Sequence, residues 1–147
     1  MVKNPLTMVK VKKLFVDADA FVALNDQKDS NYERSVALSS LASDARLPLI
    51  TSDPAFGEAI TVISQNVGLK QATEFAEAIL ASPVEIVEVD GKLRRAGLDI
   101  FKKQTSKNSR FTDCINMAIM KKDNLDTIFS FDEQYKKNKI KRFGIDE

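Results

Sequence analysis

The chain has 147 residues, 44% of them hydrophobic and 29% charged, which is typical of one globular domain with a sizeable core. Its formal net charge is only +1 and no apolar run is long enough to cross a bilayer, so we expect a soluble cytoplasmic protein without a membrane segment. It has no histidine and one cysteine, which excludes Ser-His-Asp and Cys-His catalysis, the usual zinc sites and an internal disulfide.

Apolar strand-like runs alternate with helix-like segments along the whole chain. This pattern predicts an α/β fold with a mainly parallel central sheet of about five strands. We expect a short N-terminal extension at 1–10 and a single domain at 11–147. Strands are predicted at 11–16, 48–51, 84–89, 126–131 and 139–143. Helices are predicted at 18–25, about 30–46, 54–67, 69–81, 90–101 and 111–122.

The first predicted strand stops abruptly at two carboxylates. Leu14-Phe15-Val16 is apolar without alternation, which is typical of a strand buried on both faces, and Asp17-Ala18-Asp19 follows it directly. In open α/β sheets, ligands bind outside the carboxyl ends of the strands. An acid at that point is therefore either part of a site or the N-cap of the next helix.

Three further acids occupy comparable positions. Asp132 follows another apolar run, where a turn or a cap is the alternative explanation. Asp113 lies in the first turn of its predicted helix, where the helix dipole favours a negative charge. Glu58 lies in the second turn after Pro54, where glutamate is also an ordinary helix former. If the strands are parallel neighbours, these three acids and Asp17 can converge at one edge of the sheet.

Converging carboxylates need a compensating charge. Two of them ~4 Å apart repel by about 4 kcal/mol at an effective dielectric constant near 20, so several together require protons or a cation. Oxygen ligands without histidine or cysteine select Mg²⁺ or Mn²⁺ rather than zinc. Such ions activate water and stabilise the charge that develops on a phosphodiester.

The charges along the chain agree with a phosphate substrate but do not require one. Residues 1–91 carry 8 Lys and Arg against 13 Asp and Glu, whereas residues 92–142 carry 14 against 6. A basic second half favours a phosphate backbone as partner, and ordinary solvated helix faces explain the same distribution. The same two explanations apply to the candidate RNA contacts in the basic loop: Lys102, Lys103, Lys107 and Arg110.

Four motifs, in this order, resemble the PIN domain family, in particular the small VapC-like ribonuclease toxins of toxin-antitoxin pairs and their stand-alone relatives. They are LFVDADAF, LITSDPAFGEAITV, SRFTDCINMAIM and IFSFDEQY, and the resemblance covers about 12–143. It implies a three-layer α/β/α domain whose acidic pocket binds Mg²⁺ or Mn²⁺ and hydrolyses RNA. It also implies a homodimer and, for a toxin, an antitoxin partner.

The resemblance assigns site residues one by one. The family's acids, which are catalytic and bind the metal, match Asp17, Glu58, Asp113 and Asp132. Ser130 matches a polar position near the metal, and Asp19 departs from the family pattern, which commonly has Ser or Thr there. We therefore predict a metal-dependent ribonuclease in which three aspartates hold the metal and Glu58 binds it or orients the attacking water. Without histidine to deprotonate a ribose hydroxyl, water is the expected nucleophile, and the products carry 5′-phosphate and 3′-OH ends.

Two alternatives stay open. Asp17-Ala18-Asp19 also resembles the first motif of haloacid-dehalogenase-type phosphatases, in which the first Asp attacks phosphorus and the second is acid and base. Phe21 departs from that pattern, which usually has Thr or Val there. The other alternative is a PIN-like module that binds RNA or a protein without cutting.

Overall fold

The computed structural model describes residues 11–146, so the predicted extension at 1–10 lies outside the described residues. The strands within this range are β1 (Leu14–Val16), β2 (Leu49–Ser52), β3 (Glu85–Val87), β4 (Thr127–Phe129) and β5 (Lys141–Arg142). The helices are α1 (Ala18–Leu24), α2 (Tyr32–Asp44), α3 (Asp53–Asn66), α4 (Leu69–Leu80), α5 (Gly91–Lys102), α6 (Phe111–Lys122) and α7 (Glu133–Lys137). Each helix in this part of the chain is too short or too polar to cross a bilayer.

The five strands form one parallel sheet in the order β3-β2-β1-β4-β5. The central strand is β1, where Phe15 pairs with Ile50 on one side and with Ile128 on the other. Because all strands run in the same direction, the carboxyl ends of β1, β2 and β4 lie at one edge of the sheet. This arrangement confirms the predicted α/β fold with a parallel sheet of five strands.

Helices cover both faces of the sheet. Leu14 and Val16 pack into a hydrophobic cluster with helices α1 to α4, whereas Phe15 packs into a second cluster with α5, α6 and α7. This division follows from the alternation of side chains along a strand. All three residues of β1 are buried, as their unalternating apolar sequence predicts. The result is the three-layer α/β/α architecture that the family resemblance implies.

Hydrophobic periodicity in the sequence also predicts core positions at Val36 and Phe101, and both are exposed instead. Val36 in α2 and Phe101 in α5 expose 40% and 41% of their surface, whereas Ser35, next to Val36, and Gly97, about one turn before Phe101, are buried. A prediction from hydrophobic periodicity assigns the larger apolar side chain to the core. The structure places the smaller neighbour inward, because a small residue lets the helix approach its packing partner closely.

Helix α7 is absent from the predicted elements. Its five residues contain one apolar side chain, Tyr135, so the segment shows no helical period. Three of the predicted strands are longer than the three-residue strands observed at β1, β3 and β4, because apolar residues continue beyond the last paired position. These differences change neither the order nor the direction of the strands.

Gly97 allows the close contact between α5 and α6. A Cβ atom at this position would lie 2.6 Å from Ile115 Cδ1 and 3.4 Å from Ile115 Cα. Gly97→Ala is therefore expected to lower the free energy of unfolding in urea by about 1–3 kcal/mol through overpacking.

Gly57→Ala provides the matched control for this prediction. Gly57 lies inside α3, and a Cβ atom there would meet nothing within 4 Å. Alanine at that position should raise the free energy of unfolding by up to ~1 kcal/mol through its higher helix propensity. Equal gains at Gly57 and Gly97 would contradict the close packing of α5 on α6.

Candidate active site

Asp17 is buried at the carboxyl end of β1, where it is both a helix cap and a member of a polar cluster. Its Oδ1 accepts hydrogen bonds from the Ala18 backbone N at 2.8 Å and from Asn116 Nδ2 at 3.2 Å. Its Oδ2 accepts one from the Tyr135 hydroxyl at 2.9 Å. Asp17 is therefore the N-cap of α1, and it also contacts polar side chains from α6 and α7.

Tyr135, from α7, connects Asp17 to Asp113. Its buried hydroxyl lies 2.9 Å from Asp17 Oδ2 and 3.2 Å from Asp113 Oδ1, and it accepts a hydrogen bond from Asn116 Nδ2 at 3.0 Å. A phenol carries one proton and donates to one carboxylate at a time. Two carboxylates facing one donor therefore require a further proton or a cation. Ser52 Oγ donates to Asn116 Oδ1 at 2.6 Å and fixes the orientation of that amide.

Asp19 has one satisfied and one unsatisfied oxygen. Its Oδ2 accepts hydrogen bonds from the Phe131 backbone N at 2.8 Å and from Ser130 Oγ at 3.1 Å. Its Oδ1 is buried and has no hydrogen-bond partner among residues 11–146. A buried acceptor left unpaired costs about 1–3 kcal/mol, and more when it is charged. Asp19 is thus the position in the cluster where an additional positive group is most needed.

Asp113 and Asp132 complete the acidic group, which we call the acidic cluster: Asp17, Asp19, Asp113 and Asp132. Asp113 is buried in the first turn of α6, and its Oδ2 accepts a hydrogen bond from the Arg110 backbone N at 3.3 Å. Asp132 is half-buried and caps α7 through a bond from the Gln134 backbone N to its Oδ1 at 2.9 Å.

Burial and mutual repulsion raise the pKa values in the acidic cluster. Burial raises the pKa of Asp17 well above its ordinary value, and the charges of Asp19 and Asp113 raise it further. Burial also raises the pKa of Asp19 to about 6, with a smaller contribution from the charge of Asp132. The pKa of Asp113 rises through burial and then through Asp132. The hydroxyl of Tyr135 stays protonated at neutral pH, because burial and then the charges of Asp17 and Asp113 raise its pKa well above 10.

Glu58 lies at the rim of this site and is held there by Arg110. Its Oε1 is 3.1 Å from Arg110 Nη1, and the two side chains are 35% and 64% exposed. The same Arg110 donates its backbone N–H to Asp113, so Glu58 is linked to the acidic cluster through one intervening residue. Arg110, a candidate RNA contact from the sequence, is thus ion-paired with a candidate catalytic acid. The other candidate contacts are exposed at the end of α5 and in the loop after it: Lys102, Lys103 and Lys107.

The donor set of the acidic cluster fits a hard divalent cation. Its ligating atoms are carboxylate oxygens, the pKa values of Asp17, Asp19 and Asp113 are raised, and Asp19 Oδ1 is left unpaired. Within residues 11–146, no three acidic side chains form a ready-made metal site in the present arrangement. The oxygens of Asp17 and Asp113 instead accept hydrogen bonds from Tyr135 and other donors. Ligation therefore requires these side chains to exchange hydrogen bonds for the ion.

Three of the polar residues that organise the acidic cluster are absent from the sequence-based prediction. Asn116 lies three residues after Asp113 on the same face of α6, and Tyr135 lies three residues after Asp132. Ser52 ends β2, the strand next to β1, and caps α3. A search for polar residues three positions after each acid, and at the ends of neighbouring strands, would have found all three.

Comparisons with known proteins agree on the fold. The sequence model of the PIN domain family matches residues 14–141 of this chain. Among solved structures, the crystal structure of Mycobacterium tuberculosis VapC20, a toxin that cleaves the sarcin-ricin loop, matches with a TM-score of 0.78 at 20% sequence identity. The match covers 87% of this chain and 96% of the VapC20 chain, and at this identity it shows the fold alone. A search of the curated proteins finds none that matches by sequence.

Proposed function

This chain belongs to the PIN domain family, and from that membership we propose that it is an endoribonuclease that depends on Mg²⁺ or Mn²⁺. The observation that carries the proposal is the surplus of buried negative charge in the acidic cluster, including the unpaired Oδ1 of Asp19. Without a cation, this cluster of buried carboxylates does not stabilise the folded protein. A bound divalent ion would compensate this negative charge and so account for the arrangement.

The acidic cluster supplies the residues that would hold the ion: Asp17, Asp19, Asp113 and Asp132. When bound, such an ion activates water and stabilises the charge that develops on the phosphodiester. Tyr135 and Asn116 orient the carboxylate of Asp17 by hydrogen bonds to both of its oxygens. Glu58, which forms an ion pair with Arg110, would orient the attacking water or join the ligands.

An RNA substrate is supported by the basic stretch beside the acidic cluster. Lys102, Lys103 and Lys107 are exposed at the end of α5 and in the loop that leads to Asp113. Exposed lysines at such a position neutralise backbone phosphates without reading the sequence. VapC20 is a toxin that cleaves the sarcin-ricin loop, and we propose cleavage of RNA for this chain. An antitoxin partner, a homodimer and a cytoplasmic location stay predictions.

The alternative of a phosphatase that uses Asp17 as nucleophile has less support. The chain belongs to a different family. Both oxygens of the Asp17 carboxylate also accept hydrogen bonds, from four donors at 2.8–3.4 Å. A carboxylate with both oxygens engaged in hydrogen bonds is not free to attack phosphorus in this arrangement. An acid-stable phosphate adduct on Asp17 would reverse this conclusion.

The chemistry of the RNA ends tests the proposal directly. With Mg²⁺ or Mn²⁺, the purified protein is expected to generate RNA fragments with 5′-phosphate and 3′-OH ends, read by end-specific ligation and sequencing. Chelation with EDTA should stop the reaction, and adding the ion back should restore it. The absence of new 3′-OH ends, together with no Mn²⁺ binding by calorimetry at sub-millimolar levels, would favour a non-cleaving scaffold.

A further inference from the structure

A cavity of about 330 Å³ lies beside α5 and the start of α6 and is not used in the function proposed above. It is lined by Gly91, Arg94, Arg95, Leu98 and Phe111. Its volume is at the lower end of the range of ligand clefts, ~300–1,000 Å³. The lining combines an apolar surface with two guanidinium groups, which is the composition expected of a site for a flat, apolar group next to a negative charge.

An exposed aromatic pair borders this cavity. Phe111 and Phe101 are 41% exposed each, and their ring centroids are 6.0 Å apart at an interplanar angle of 80°. The chain has nine phenylalanines, all within the described range, and these are the two that are exposed. Aromatic rings presented to solvent next to arginines are typical of surfaces that stack unpaired bases.

The charge around the cavity is positive. Arg94 is exposed and forms no ion pair with other residues of the described part of the chain, and Arg95 is 3.8 Å from Asp99 in an exposed pair. Such an exposed pair is weak and exchanges readily for a phosphate. The other nearby acid, Asp90, caps the start of α5 through the Leu93 backbone N.

The cavity is also close to the acidic cluster along the chain. Phe111 is the first residue of α6, and Asp113 lies in the same turn. Arg110, directly before Phe111, holds Glu58 at the rim of the proposed active site. Phe111 therefore lies at the end of α6 that carries Asp113, with its ring on the exposed side of the helix.

We infer that this cavity binds one unpaired base of a single-stranded RNA, with the base stacked on Phe111 and adjacent phosphates contacting Arg94 and Arg95. The inference rests on the proposed function and adds one specific contact for its substrate, an unpaired base on Phe111. In a duplex each base is stacked between its neighbours, so its faces are not free to stack on Phe111. An acidic protein segment is the competing occupant, and the experiment below separates the two.

The test measures binding in EDTA, so that it does not depend on cleavage. The probe is a short single-stranded oligoribonucleotide with one internal 2-aminopurine, whose fluorescence is quenched by stacking. Phe111→Leu, which keeps an apolar side chain but removes the ring, is expected to weaken binding about tenfold and to abolish the quenching. Phe111→Tyr should retain both. Arg94→Gln should lower the slope of log affinity against log salt by about 0.7.

Leu69→Ala is the matched surface control, since Leu69 is 75% exposed on α4, in the helix layer on the other face of the sheet. It should bind the probe like the parent protein. Unchanged affinity and quenching in Phe111→Leu, with folding verified by circular dichroism, would overturn the inference and favour a protein occupant. Equal affinity for the same strand in a duplex would also overturn it. If Phe111→Leu loses binding but the parent protein does not cleave RNA in the presence of Mg²⁺ or Mn²⁺, the base site stands and the nuclease proposal fails.

Discussion

Asp17→Asn and Asp113→Asn are each expected to lower the rate of RNA cleavage by about 100-fold or more while the protein stays folded. A bound divalent ion supplies several kcal/mol of transition-state stabilisation, and each 1.36 kcal/mol corresponds to a factor of ten in rate. Asparagine has the shape of aspartate but removes the negative charge that the ion requires. Initial rates on structured and unstructured RNA, with Mg²⁺ or Mn²⁺ present, measure the effect.

The stability of these variants shows whether a loss of RNA cleavage comes from the changed active site or from unfolding of the protein. In EDTA at neutral pH, Asp17→Asn should be at least as stable as the parent protein, because a buried charge is removed. The amide introduced there can still accept from Asn116 and can donate to the Tyr135 hydroxyl, which then donates to Asp113. Asp44→Asn, at an exposed acid near the end of α2, should cleave RNA at the normal rate. Full activity in both cluster variants would remove the proposed active site.

The metal-free protein is expected to lose stability as the pH rises from about 4 to above 6. The raised carboxyl pKa values mean that the folded state binds more protons than the unfolded state in this range, so the free energy of unfolding falls with increasing pH. For Asp19, whose pKa rises from 3.8 to about 6, the loss is about 3 kcal/mol. Asp17 and Asp113 change stability in the same direction.

Urea unfolding in EDTA at several pH values measures this loss. Asp19→Asn should flatten the profile, and Asp44→Asn should leave it unchanged. Asp90 and Asp146 have lowered pKa values, so they change the free energy of unfolding in the opposite direction. Their ionised forms stabilise the folded protein, and this contribution is lost only as the pH falls below about 4. Adding Mg²⁺ or Mn²⁺ should raise the free energy of unfolding more at about pH 7 than at about pH 4.5. At the lower pH, protons compete with the ion for the same carboxylate oxygens. A flat profile for the parent protein would contradict the buried charge of Asp19.

The fold was predictable because each element carries a strong local signal. The unbroken apolar run at β1 predicts a strand buried on both faces, and helix α6 has the predicted bounds of Phe111 and Lys122. Acids directly after β1 and β4 are brought to one edge of the sheet by the parallel pairing of these strands. The sheet topology therefore brings together two acids that are far apart in the sequence.

The parts that escaped prediction depend on contacts between distant side chains. Tyr135 reaches Asp17 from a five-residue helix that has no periodicity of its own. The pairing of Arg110 with Glu58 joins residues 52 positions apart, and either residue alone resembles an ordinary surface charge. The unpaired oxygen of Asp19 is a property of the folded environment, and the sequence shows only a carboxylate where the family usually has a hydroxyl.

The strand order also determines when the protein, as it is synthesised, can first become active. Strand β1 has its neighbour β4 more than a hundred residues further along, and Asp17 meets Tyr135 across 118 positions. Contacts at such separation form late, because a long loop must close first. A nascent chain therefore has no assembled acidic cluster until α7 has emerged from the ribosome. If the protein cleaves RNA as proposed, this order of assembly keeps it harmless to the messenger that is still being translated.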